Sequence, residues 1–111
     1  MLDINTEFRK GILFVRLIGQ LNSYSVNDLV YVDDLIKTGG INKVTFNLKD
    51  LYEIDNPGLK ALERISKMVT NEGGRCMICG LDDPFVKRNV NQSRVMKYMY
   101  EISGELSILG G

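Results

Sequence analysis

The hydrophobic residues of this chain change their period as it is followed, and that change constrains the fold more than any single residue. "LDINTEF" alternates, with Leu2, Ile4, Thr6 and Phe8 on one side and Asp3, Asn5 and Glu7 on the other. A period of two marks a half-buried strand. Arg9-Lys10-Gly11 reads as a turn, and "ILFVRLI", ended by Gly19, as the second strand of a hairpin. The period then lengthens. Val26, Leu29, Val32 and Ile36 recur at helical spacing between Tyr24 and Thr38, with Ser23 or Ser25 to cap the start and Gly39-Gly40 to stop the helix.

The alternation repeats. "KVTFNL" has Val44, Phe46 and Leu48 against Thr45 and Asn47, a strand; Lys49 to Asn56 reads as a loop. Pro57 to Glu72 is a helix with Leu59, Leu62, Ile65 and Val69 as its buried stripe, supported by Glu63 four residues before Lys67. "RCMICGL" is apolar on both faces, as a central strand should be. A short helix from Asp83-Pro84 to about Gln92, an edge strand over "VMKYMYEI" and a tail of coil or helical turn follow. Strands alternating with helices predict an α/β fold, one domain over residues 1–111, with a mixed sheet of four or five strands packed by three to four helices.

Composition narrows the function. Fourteen basic residues balance fourteen acidic ones, so the charge excess that nucleic acid or an anionic membrane surface requires is missing. The longest apolar run, Ile12 to Val15, is far short of the ~20 residues that span a bilayer, and no signal peptide precedes it. The expectation is a cytoplasmic protein. Histidine, the commonest general base and metal ligand, is absent. Cys76 and Cys79 form one C-x-x-C, but on a strand that spacing sends the two thiols to opposite faces. They read as small core residues, with no metal, cofactor or catalytic site implied.

Both prolines follow a capping residue, in Asn56-Pro57 and Asp83-Pro84. Asparagine and aspartate accept from the free N–H groups of a helix start, and proline's fixed φ suits the first helical position. Ligands and partners of open α/β sheets meet the carboxyl ends of the strands. Residues 49–56 form such an end, and "GQLNSYS" at 19–25 forms another if the strands run parallel. Asn22, Ser23, Asp55 and Asn56 would then share one polar surface beside a helix N-terminus, where negative charge is favoured.

"VTFNLKDLYEIDNPGLKAL" resembles the STAS domain of bacterial anti-sigma factor antagonists. Val44 to Leu48 match that family's strand, and Leu51, Ile54, Asp55, Gly58 and Leu59 match its Leu-x-x-Leu-x-x-(Ile/Met)-Asp-Ser-(Ser/Thr)-Gly-Leu signature. "VRLIGQLN" is similar to the family's Leu-x-Gly-Glu-Leu-Asp at Leu17, Gly19 and Leu21, and Gly73, Gly74, Pro84 and Val86 match the approach to the third helix. The resemblance implies a domain that binds an anti-sigma factor of serine-kinase fold and is released when the serine after the aspartate is phosphorylated.

Here that serine is replaced by Asn56 and the following Ser/Thr by Pro57, while the family's loop acids are neutral at Gln20 and Asn22. Asn56 thus occupies the phosphoacceptor position without being phosphorylatable, and Ser23, Ser25 and Ser66 are the alternative acceptors. The resemblance implies a partner-binding surface of Asn22, Ser23, Asp55, Asn56, Pro57, Gly58 and Leu59 on a monomer or weak dimer. Two alternatives stand beside this antagonist: a non-switching scaffold or oligomer subunit, and a small enzyme or redox protein using the C-x-x-C.

Overall fold

The computed structural model describes residues 1–110, so Gly111, the last residue of the expected 1–111 domain, lies outside the described residues. The elements are β1 (Leu2–Arg9), β2 (Ile12–Leu21), α1 (Val30–Gly39), β3 (Lys43–Asn47), β4 (Leu51–Ile54), α2 (Asn56–Asn71), β5 (Arg75–Cys79), α3 (Pro84–Asn91) and β6 (Met99–Glu101). Single 3-10 turns stand before α1 (Val26–Leu29), before β6 (Val95–Lys97) and after it (Glu105–Ile108).

These strands form one mixed sheet of six, in the order β1-β2-β3-β5-β6 with β4 also on β2. β1 and β2 make the expected antiparallel hairpin, and β2, β3, β5 and β6 run parallel. The sixth strand is a correction. β4 lies inside the segment read as a loop, and it pairs in parallel with Gly19 to Leu21 of β2. Since β1 holds one edge of β2 from Ile12 to Gly19, β4 takes the other edge, continuing where β3 leaves off. Gly19 therefore does not end its strand. It bends it: the backbone there has φ +106°, a Cβ would overlap the Met1 carbonyl oxygen, and the register shifts at this point.

Two further boundaries move. α1 begins at Val30 rather than Tyr24, because the Ser25 hydroxyl donates to the Gln20 carbonyl (2.7 Å) instead of capping, and the segment starts as a 3-10 turn. Leu29, Val32 and Ile36 still face the core. β6 is reduced to Met99–Glu101, since Val95–Lys97 turns to bury Val95.

The helices cover one face only. Leu13, Val15 and Leu17 of β2, Val44 and Phe46 of β3, and Cys76 and Ile78 of β5 pack with Leu62, Ile65 and Val69 of α2 in a continuous core. On the opposite face, Ile12 and Phe14 are covered by Ile108 and Leu109 of the C-terminal segment. One guanidinium pins this strap. Arg16 donates from Nε (2.8 Å) and Nη2 (2.7 Å) to the two carboxylate oxygens of Glu105, and also to Glu7 (2.8 Å) and Asn5 (2.7 Å). Asn47 adds a bond to Glu105 (2.8 Å). No helix among the described residues is long and apolar enough to cross a membrane.

Cys76 and Cys79 do lie on opposite faces of β5, both buried and unbonded. Burial pushes the Cys76 thiol up to about 12, and burial with the charges of Glu105 and Asp82 pushes Cys79 up to about 11. Thiolate is the reactive form. A thiol-specific reagent should therefore label neither cysteine at mildly alkaline pH until denaturant is added; stoichiometric labelling of the folded protein would contradict this packing.

The Arg16 hydrogen bond holds Glu105 below the ordinary carboxylate range, with burial opposing. A carboxylate held low stabilises the fold fully above its unfolded pKa and loses that contribution as pH falls through the lower folded value. Glu105→Gln should cost about 1 kcal/mol at neutral pH, after allowance for the partly exposed guanidinium. Thermal melts on acidification should then fall less steeply for Glu105→Gln than for the parent.

Candidate functional site

β2 and β4 run in parallel and finish together, with Leu21 opposite Ile54, so the loops that follow them emerge side by side. Asp55 ties the two. Its backbone N–H donates to the Leu21 carbonyl (3.2 Å), its Oδ1 accepts from Gly58 N–H (3.1 Å), and its Oδ2 accepts from Ser23 N–H (3.1 Å). The carboxylate thus caps α2 with one oxygen and fastens the β2–α1 loop with the other.

The cap sits one residue earlier than the Asn-Pro pair suggests. Asp55 is the N-cap, Asn56 the first helical residue and Pro57 the second. Proline costs nothing there, because the N–H it lacks has no intrahelical acceptor. The second proline behaves as expected: Asp83 Oδ1 accepts from Phe85 N–H (2.9 Å) and Val86 N–H (3.1 Å), with Pro84 first in α3.

Of the residues expected on the binding surface, Asn56, Pro57, Ser23 and part of Asn22, Asp55 and Leu59 are accessible. Gly58 is buried. A Cβ there would stand 2.7 Å from the Leu21 carbonyl oxygen, so this glycine lets α2 approach β2. The side chain of Asn56 forms no hydrogen bond among the described residues and faces outward at the positive end of α2. Beside it, a shallow cleft of about 250 Å³ runs between α2 and α3, bordered by Ile54, Leu59 and Asn89, whose amide donates to the Ile54 carbonyl (3.1 Å).

One residue of the site was not legible as such. Glu53, exposed on β4, accepts from Asn22 Nδ2 (2.9 Å) and from Gln20 Nε2 (3.4 Å). The loop whose own residues are neutral therefore borrows a carboxylate from its neighbour. Reading 49–56 as loop concealed this, since only the β2–β4 pairing brings Glu53 across Gln20. Asn22 Oδ1 in turn accepts from Tyr24 N–H (2.9 Å), leaving the Tyr24 ring almost wholly exposed next to Ser23.

The alternative acceptors separate by burial. Ser66 is buried with its hydroxyl on the Glu63 carbonyl, and Ser25 is buried on Gln20; Ser23 is exposed. No cluster of metal-ligating side chains occurs among the described residues. What the surface offers is amides, hydroxyls, one exposed carboxylate and an aromatic ring, a set suited to recognition.

Asp55→Ala should remove the cap and the loop tie together, costing about 1–2 kcal/mol in urea unfolding and speeding exchange of the Ser23 and Gly58 amide protons. Asp55→Asn has one acceptor oxygen for two donors and should fall between. Equal stability of all three proteins would show that the tie contributes nothing.

The model of the STAS domain family matches residues 3–107. An anti-sigma F factor antagonist of Paenibacillus polymyxa is 29% identical over 110 residues, which cover 97% of this chain and 92% of the relative. Among solved structures, the Bacillus cell fate determinant SpoIIAA in its phosphorylated form superposes with a TM-score of 0.75 at 17% identity, over 97% of this chain and 98% of that one. A variant of RsbS from Moorella thermoacetica does so with a TM-score of 0.79 at 13% identity, over 96% and 92%. The hairpin, the Asp55-capped helix and the α3 start all fall within the matched residues, and the chain belongs to the STAS domain family.

Proposed function

We propose that this single-domain protein is a cytoplasmic anti-sigma factor antagonist that binds its partner through the β2–α1 and β4–α2 loops, as a monomer or weak dimer, without phosphate-dependent release. The name of the Paenibacillus relative supports the antagonist reading. The observation that carries the second half is Asn56: an exposed amide at the first position of α2, next to the capping aspartate, where the family resemblance expects a serine hydroxyl.

Phosphorylation would add about 1.5–2 negative charges to that position, beside Asp55 and inside the contact. An amide cannot accept a phosphoryl group, so the surface stays in its neutral, binding form. Glu53 refines the partner's expected chemistry. The anti-sigma factor, of serine-kinase fold, should place a basic or donor group opposite Glu53 and an uncharged one opposite Asn56. The function is binding, with no catalytic group required.

A pull-down from the native cell, identified by mass spectrometry, should return an anti-sigma factor, and titration with it gives the affinity. Asn56→Asp leaves the Asp55 cap intact and puts a carboxylate where the helix dipole favours one, so stability should move by less than about 0.5 kcal/mol. Binding should weaken by more than about 1 kcal/mol if the residue lies in the buried centre of the contact. Incubation with the partner kinase and ATP should leave residues 55–59 unmodified and the affinity unchanged. Unaltered binding by Asn56→Asp would remove this loop from the interface, and recovery only of copies of the chain itself would favour a scaffold.

A further inference from the structure

The sheet face turned away from the helices is only partly covered. The strap lies over Ile12, Phe14 and Arg16. Next to it an open groove of about 420 Å³ remains, walled by Ile12, Tyr100 and Ile108 of the strap, and floored by Met77 and Ile102. Strand register sets its polarity. Lys43 stands directly opposite Arg75 across β3 and β5, and both line the groove. One row along the strands, Met77 stands opposite Tyr100, and Ile102 lies a further row on. The cations thus occupy one end, and apolar lining continues for about 13 Å beyond them, four residues at ~3.3 Å each.

This end of the sheet is not explained by folding. Like charges facing each other across a strand pair are destabilising. Neither Lys43 nor Arg75 joins an ion pair among the described residues, so no carboxylate of the chain offsets their facing charges. On the same face, one row from the cations, Thr45 keeps a fully buried hydroxyl with no hydrogen-bond partner among the described residues. An anion between Lys43 and Arg75 would turn their repulsion into attraction.

We infer that this groove binds a single-chain amphiphile with an anionic head, of the fatty carboxylate class. The head lies between Lys43 and Arg75, the chain over Met77 and Ile102, with Ile108 and the Tyr100 ring as side walls. The volume is in the range of small-molecule sites, ~300–1,000 Å³. Charge at one end and apolar lining away from it match an amphiphile better than a compact polar anion or a neutral hydrocarbon. The groove lies on the sheet face opposite α2, so the inference does not depend on the partner-binding reading above.

The test is a nuclear magnetic resonance titration of the full chain with laurate below its micelle concentration. Saturable one-to-one shifts should centre on Lys43, Arg75, Met77, Tyr100 and Ile108, leaving Ser23 and Asn56 unmoved. Dodecanol should bind several-fold more weakly, and inorganic phosphate should not compete at equal concentration. The Lys43→Gln, Arg75→Gln double variant, at exposed positions that should not impair folding, should weaken laurate about tenfold and leave dodecanol unchanged. Absence of saturable shifts, equal binding of laurate and dodecanol, or equal laurate binding by the double variant would overturn the inference. So would the same resonances moving on dilution without ligand, because that would make the face a contact between copies of the chain.

Discussion

The Asp55 carboxylate is the constraint on which the functional end of this domain depends. Three hydrogen bonds from one residue join α2, the β2–α1 loop and the last pair of β2 and β4. Two of them are charge-assisted, the stronger kind, and the helix dipole reinforces both. The consequence reaches beyond stability. Both oxygens of the half-buried Asp55 are engaged by backbone N–H groups. The exposed Glu53 is held only by the side-chain amides of Gln20 and Asn22 and is the more accessible carboxylate of the surface. Tight approach of α2 to β2 is the second half of the same device, since only a glycine at position 58 lets the capped helix settle against Leu21.

Most elements were legible because their signals are local. The period of two in β1 and β3, the helical stripe of α2 and the Asp83-Pro84 start of α3 depend on neighbours a few residues away, and the structure has these elements where they were read. Phe8 is nevertheless exposed and Thr45 buried. β4 was hidden because its buried residues, Leu51 and Ile54, are three apart and show no alternation. It is a strand because β1 has closed the other edge of β2, a fact recorded elsewhere in the chain. The same applies to the α2 cap. "Asp-Asn-Pro" offers two capping residues in succession, and the tie is broken by the Ser23 amide, 32 residues distant.

The C-terminal tail shows the same limit on the other face of the sheet. Leu106, Ile108 and Leu109 are too few to display a period, and the tail read as coil or a helical turn. It does form a 3-10 turn, but its place is set by Arg16, 89 residues before Glu105 in sequence. Closure by the strap also accounts for one of the thiols. Cys79 lies on the strap face, and burial there, together with the acidic neighbours Glu105 and Asp82, holds it as an inert thiol. A C-x-x-C that in another setting would be reactive is here divided between two interiors.

The position of the cap also separates the identity of residue 56 from the stability of the fold. Were residue 56 the N-cap, its side chain would be fixed by the helix, and exchanging a serine for another residue would trade regulation against stability. With Asp55 as cap, residue 56 only needs to accept helical φ and ψ at the first position, where most side chains fit. Its chemistry is then open to the solvent and to a partner, uncoupled from the core. The hydroxyl that a phosphoryl transfer needs can give way to an amide while Asp55, Gly58 and Leu21 continue to hold the surface in shape. In the function proposed above, scaffold and switch would occupy adjacent residues and remain energetically separate, so the loop can keep its shape around a residue that cannot be phosphorylated.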